Sequence, residues 1–301
     1  MTMKIALITM LGLTIFSALA AGKSRGRPPM AAIDVPVDVS YTVHQYREGA
    51  FPRAGQVGIA VAKEHLDKDN TLPVVVFIHG GGWAKGDKDQ LAWQCIRYAQ
   101  KGYVAATVSY RLIDEAPFPA CIQDVMEAIR YIKSICPEIS GDPDNIGLQG
   151  YSAGAHLALM IALASDEETF HSGAYAEYDS SVKCAFVISA PTDFPERKNR
   201  GEALTQLHEQ QRGDSEFLRR VSPVEHVVAD QVPILMVHGT NDELVPSFHY
   251  EHFKIRCSEA GVENFKLITE PGGGHMFFFK ERKTYQPIMD AFFREHLGPA
   301  N

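Results

Sequence analysis

Closely spaced cysteine pairs are missing from this chain. Its five cysteines, Cys95, Cys121, Cys136, Cys184 and Cys257, are scattered, which excludes a zinc ribbon or a disulfide-dense scaffold, and an odd count leaves at least one thiol unpaired. A basic excess is missing too. The 29 Lys and Arg against 37 Asp and Glu give a net charge of −8, so there is no electrostatic footprint for nucleic acid or for an anionic membrane surface. There is no repeat of fixed period and no low-complexity tract. With 45% hydrophobic and 22% charged residues, neither a disordered chain nor a polytopic membrane protein is called for.

What is present begins with a targeting pattern. Lys4 supplies a short positive start, Ile5 to Leu19 is largely apolar, and Ala18-Leu19-Ala20 has small residues at cleavage-site spacing. Residues 1–20 therefore read as a signal peptide, with export to the periplasm or the extracellular space and no stable membrane association after cleavage. The competing reading is an uncleaved membrane anchor at residues 5–20, since the run approaches the shortest spanning length. No cysteine stands there to take a lipid. Basic residues from Lys23 to Arg27, then Pro28 and Pro29, make 21–30 an extended tether. The remaining 31–301 is long enough to bury one large core as a single domain.

Short apolar, β-branched runs alternate with stretches of helical period, the pattern of parallel strands joined by crossover helices. Strands are predicted at Leu72 to His79, Tyr103 to Ser109, Asn145 to Gln149, Cys184 to Ser189, Pro233 to Val237 and Phe265 to Thr269. Val125, Ala128, Ile129, Ile132 and Ile135 mark one helix; Leu157, Met160, Ile161 and Leu163 mark a second. These faces are core, and no cofactor box is read into them. Gly141 to Asp144 reads as a turn, Ser247 to Gly261 as a helix with its stop, and 285–297 as the last helix. Residues 195–222 are dense in Glu, Arg, Lys and Gln and read as a small polar cap over a sheet edge. Residues 31–71 match no motif.

The chemistry sits at strand ends. Gly150-Tyr151-Ser152-Ala153-Gly154 lies between a strand and a helix, where a nucleophilic serine needs small neighbours on a tight turn and gains a helix N-terminus aimed at the developing anion. His79-Gly80-Gly81-Gly82-Trp83 follows another strand, and consecutive glycines let backbone N–H groups approach a substrate oxygen. A serine hydroxyl needs a base, and the base needs an orienting acid. Asp242 follows the strand ending at Val237 and His275 follows the next, giving the order serine, acid, histidine. Glu243 beside Asp242, and Asp193 after an earlier strand, are the competing acids. His249 and His252 stand at i and i+3, but no Glu follows the first and no third ligand is evident, so no metal site is assigned. His156 reads as a local packing or hydrogen-bonding residue and Asp124 as structural.

These motifs, with VSYRL at 108–112, APFPA at 116–120, GYSAGAH at 150–156, HGTNDELVP at 238–246 and GGGH at 272–275, resemble the α/β-hydrolase superfamily, in particular the esterase branch of hormone-sensitive lipase-like and bacterial carbohydrate esterases. The resemblance runs from residue 72 to about 297. It implies an α/β-hydrolase fold: a mostly parallel central sheet flanked by helices, here with the small polar cap. It implies Ser152 as nucleophile, His275 as base and then acid, Asp242 as its orienting acid, and an oxyanion hole from the N–H groups of Gly81, Gly82 and Ala153. No cofactor is implied. The expected activity is hydrolysis of short-chain carboxylic esters, small-molecule or carbohydrate-linked, through an acyl-enzyme. An amidase of the same fold, peptidase or formamidase, and a non-catalytic binding module are the alternatives. The leader predicts a mature chain starting near Ala21 or Gly22; N-terminal mass spectrometry of exported protein checks this, and an intact Met1 replaces cleavage with anchoring.

Overall fold

The computed structural model describes residues 33–66, 71–194 and 214–298. The expected leader and tether, and residues 195–213 of the expected cap, lie outside the described residues. Runs rich in Val, Ile and Ala form eight strands in one sheet: β1 Val39–Gln45, β2 Gln56–Ala62, β3 Leu72–Ile78, β4 Val104–Val108, β5 Gly141–Tyr151, β6 Cys184–Ile188, β7 Ile234–Gly239 and β8 Phe265–Glu270. They lie in the order β1-β2-β4-β3-β5-β6-β7-β8. The β1–β2 and β2–β4 pairs are antiparallel, and all later pairs are parallel.

Seven α-helices are described: α1 Ala92–Ala99, α2 Ala120–Ile135, α3 Ala153–Ala164, α4 Ser215–Arg220, α5 Phe248–Glu259, α6 Phe277–Lys280 and α7 Arg282–Leu297. The strand alternation decides which of them each side chain meets. Val74, Val76 and Ile78 of β3 join a core with Val125, Ile129 and Ile132 of α2 and Leu157 and Ile161 of α3. Val75 and Phe77 point the other way, to Cys95 and Tyr98 of α1 and Met289 and Phe293 of α7. Covered on both faces, β3, β4, β6 and β7 are buried at every residue, which is why they read as unbroken apolar runs. The sequence of α3 is apolar all round, and ten of its residues are buried, as a helix sandwiched inside a core requires.

All six predicted strands are found. The unassigned N-terminal stretch supplies two more, β1 and β2. Gly141 to Asp144, read as a turn, lies within β5: Gly141 pairs with Leu72 and Ile146 with Val74, so the residues between bulge outward, with Asp144 N donating to Asp142 Oδ1 at 3.0 Å. The described end of the expected cap, 214–222, is less polar in placement than in composition, for Leu218 and Val221 enter the α2–α3 core. Either side of 195–213, Phe194 N donates to Ser222 Oγ at 2.9 Å and Val224 N to Thr192 O at 3.0 Å. All five cysteines are free and buried. No helix among the described residues is long and apolar enough to cross a membrane.

One buried ion cluster ties the antiparallel edge to the site side of the sheet. Asp124 of α2 has a fully buried side chain and accepts from the Arg111 backbone N at 2.7 Å, from Arg111 Nε and Nη2, and from Arg47 Nη1. It joins the segment after β1, the segment after β4 and α2. Removing one member of a buried pair leaves charge uncompensated. Asp124→Asn should lower the unfolding free energy by about 2–4 kcal/mol, read by urea titration against wild type; a loss under about 0.5 kcal/mol, the range of an ordinary surface substitution, would contradict the structural role.

Candidate active site

The turn that carries Ser152 is dictated by two glycines. A Cβ at Gly154 would lie 2.1 Å from Ile78 O, and one at Gly150 would lie 2.2 Å from Gly154 O, so no side chain fits at either position. Between them Ser152 takes φ 54° and ψ −121°, a backbone conformation that a non-glycine residue rarely holds. Its N–H donates to Ile188 O at the end of β6, 2.9 Å away. The turn therefore projects Ser152 at the carboxyl edge of the sheet, with α3 starting directly behind it.

The glycine loop after β3 lies against this turn, since a Cβ on Gly80 would be 3.2 Å from the Ser152 Cβ. Gly81 and Gly82 have φ of 122° and 61°, and Gly81 O accepts from Ala84 N and Lys85 N at 3.2 Å. Tyr110 Oη donates to His79 O at 2.9 Å and stacks on the His79 ring. Among the described residues the amides of Gly81 and Gly82 donate to no backbone group, and Ala153 N heads α3, where helix geometry supplies no intrahelical acceptor. Trp83, 1% exposed, locks the loop inward among the rings of Phe118, His156 and Phe194. His156 Nε2 donates to Val221 O at 2.8 Å. Burial pushes its pKa down to about 4, although that hydrogen bond opposes the shift. It is a neutral packing residue.

The structure brings the other two predicted residues to Ser152. His275 Nε2 is 3.0 Å from Ser152 Oγ, and His275 Nδ1 is 2.7 Å from Asp242 Oδ2. The Asp242 side chain is fully buried. Its Oδ1 accepts from Leu244 N at 3.0 Å and Val245 N at 2.9 Å. Burial pushes this carboxyl up, but the hydrogen bond and charge of His275, with the Val245 N–H, outweigh it and hold the pKa below the usual carboxylate value. A carboxylate so fixed favours the tautomer with Nδ1 protonated, an arrangement in which Nε2 is able to accept a proton from Ser152 Oγ. The competing acids lie elsewhere: Glu243 is exposed, and Asp193 Oδ2 faces His252 Nδ1 at 2.8 Å. His249 Nδ1 accepts from Thr192 N and Asp193 N and is occupied by the backbone.

Sequence reasoning passed over two neighbours. His238 Nε2 donates to Val245 O at 2.8 Å and lies 3.6 Å from Asp242 Oδ2. Tyr151 reaches the backbone of His275 with its hydroxyl. The first could have been suspected from its place in HGTND at the end of β7; the second had no signal, because the residue between glycine and serine varies freely in a GxSxG pattern.

The BD-FAE family model matches residues 62–256 of this sequence, more than half of it. The chain belongs to the BD-FAE family. Relatives of this BD-FAE member include a probable carboxylic ester hydrolase, LipM, of Mycobacterium tuberculosis, 30% identical over 69% of this chain and 48% of the relative, and a probable isoprenylcysteine alpha-carbonyl methylesterase of Arabidopsis thaliana, 27% identical over 71% and 48%. The chain spans about half the length of the curated relatives it matches. Among solved structures, Thermogutta terrifontis esterase 2 with propionate bound aligns at a TM-score of 0.72 and 26% identity, covering 86% of this chain and 96% of that one. A truncated carbohydrate esterase from gut microbiota aligns at 0.74 and 23%, covering 87% and 98%, a likeness of fold. The BD-FAE member thus has the α/β-hydrolase fold and sits among esterases.

Asp242→Asn should reduce turnover on one ester at pH 7 by roughly 10³ to 10⁴-fold, because an amide cannot stabilise an imidazolium. Glu243→Gln and Asp193→Asn should each cost less than about tenfold. If Asp193→Asn is the crippled variant, the acid sits after β6 and the assignment is wrong.

Proposed function

We propose that the protein is a serine carboxylesterase acting on short-chain esters, with the alcohol side open to carbohydrate. The observation carrying this reading is the continuous line from Ser152 Oγ through His275 to the buried Asp242 carboxylate, at 3.0 and 2.7 Å. In the proposed cycle Ser152 Oγ attacks the ester carbonyl while its proton passes to His275 Nε2. The N–H groups of Gly81, Gly82 and Ala153 receive the oxyanion, where fixed donors in a dry site stabilise charge more than water does. Collapse of the tetrahedral intermediate releases the alcohol, protonated by His275, and leaves the acyl group on Ser152. Water, deprotonated by the same imidazole, then frees the acid.

The short-chain reading draws support from packing. Behind the glycine loop the space is filled by Trp83, Phe118, His156 and Phe194, all nearly or wholly buried, and interiors of that density give way little to added methylenes. Thermogutta terrifontis esterase 2 binds propionate and butyrate, in keeping with acids of this size. The carbohydrate option draws on the carbohydrate esterase of the same fold. Export belongs to the same reading, with residues 1–20 removed, or with residues 5–20 kept as an anchor.

Ser152→Ala should lower turnover of p-nitrophenyl acetate by about 10⁴-fold or more with folding intact. Wild type should prefer acetyl to butyryl esters over longer chains, acetylated sugars included, with no jump in rate when substrate passes its solubility limit. Faster turnover of N-formyl or peptidyl substrates than of any ester would move the protein to the amidases.

A further inference from the structure

We infer that Tyr151 is a positioning residue whose hydroxyl holds the His275 loop at hydrogen-bonding distance from Ser152. This rests on the proposed serine hydrolase reading and extends it to a side chain outside the triad. Tyr151 is the residue before the nucleophile, so its backbone is part of the strained turn. Its hydroxyl donates to His275 O at 3.0 Å, and Met276 Sδ lies 2.9 Å from the same oxygen. One proton cannot serve both fully, and a carbonyl is the stronger acceptor. The ring meets the His275 imidazole at a centroid distance of 5.2 Å and stands edge-on to Phe279 at 4.9 Å. On its other side the ring approaches the glycine loop, with its Cδ1 3.0 Å from where a Cβ on Gly80 would be. One side chain therefore touches the histidine loop and the glycine loop while its backbone carries the serine.

The histidine loop needs such a tie. It runs through Gly272, Gly273 and Gly274, three residues without side chains to pack, and Gly272 has φ 72°. Asn241 N donates to Gly273 O at 2.9 Å and Gly272 N to Thr240 Oγ1 at 2.8 Å, but both bonds hold the start of the loop to the β7 side. The Tyr151 bond fastens the histidine itself to the nucleophile turn. Burial, then the nearby Asp242 charge, pushes the phenol pKa well above its usual value, so the group stays a donor throughout an ordinary assay range.

Tyr151→Phe keeps the ring and deletes the hydroxyl. The expected result is a kcat on p-nitrophenyl acetate lower by about tenfold, with KM within about twofold, because a slightly misplaced base costs rate and leaves substrate binding alone. Phosphonylation of Ser152 by a p-nitrophenyl alkylphosphonate should slow by a similar factor, and the melting temperature should stay within a few degrees. Tyr151→Leu, which also loses the ring, should slow further and melt earlier. Wild-type kcat and phosphonylation rate in Tyr151→Phe overturn the inference, as does a change confined to KM or a rate loss recovered on cooling. If wild-type Ser152 itself takes no phosphonate, the hydrolase reading fails and this one falls with it; if wild type reacts and Tyr151→Phe reacts equally, only the positioning role is lost.

Discussion

The packing of α3 against the end of β3 governs everything else at the site. At Gly154 the helix backbone comes so near Ile78 O and His79 O that even a methyl group is excluded. That proximity puts the helix N-terminus, the glycine loop and the serine turn within one small volume. Ser152 then has no choice but a positive φ, and the cost of order 1–3 kcal/mol for such strain is offset by its N–H bond to Ile188 O and by the burial of α3. Ser152 is left half-buried at the edge of the sheet because the core beneath it is closed.

What sets Asp242 apart from the other carboxylates is an electrostatic matter superimposed on this frame. Of three carboxylates near the carboxyl edge, Asp242 alone combines full burial with donors for both oxygens. Glu243 is its neighbour in sequence but leaves the strand in another direction, into solvent. Asp193 is partly buried, yet its imidazole partner, His252, is half exposed, and the imidazole at Ser152 is that of His275. Desolvation strengthens a fixed ion–dipole contact and penalises an unpaired one, so the same burial that would harm an isolated carboxylate suits one already held by two N–H groups and an imidazole.

Four of the six predicted strands, β3, β4, β6 and β7, were legible because burial on both faces writes an apolar run into sequence. β5 was legible through its buried second half, and β8, only part-buried, through its β-branched and apolar residues; each candidate site residue follows one of these strands. β2, with Val57, Ile59 and Val61 buried, carries a similar run, Val57 to Ala62, but its Gly58 and two alanines dilute it, and β1 beside it is half exposed. Neither bears a motif. The contact of Tyr151 was beyond reach of the sequence, since it depends on a backbone carbonyl far away in the chain, whereas His238 had a signal in its motif but a partner fixed only by the path of the following loop. The cap was read from composition, and composition does not reveal that Leu218 and Val221 turn inward.

The clasp between Phe194 and Ser222 has a thermodynamic side. With Phe194 N bonded to Ser222 Oγ and Val224 N to Thr192 O, the two ends of the intervening stretch are fastened to the core by groups that belong to the core. Loop-closure entropy changes by only about 0.6 kcal/mol for each doubling in length. By that measure the length of chain between two such fastened ends weighs little on the fold, while Phe194, one end of the clasp, packs on Trp83 at the glycine loop. The clasp thus works as a socket: its two ends are seated on the same core that carries Trp83 and the glycine loop.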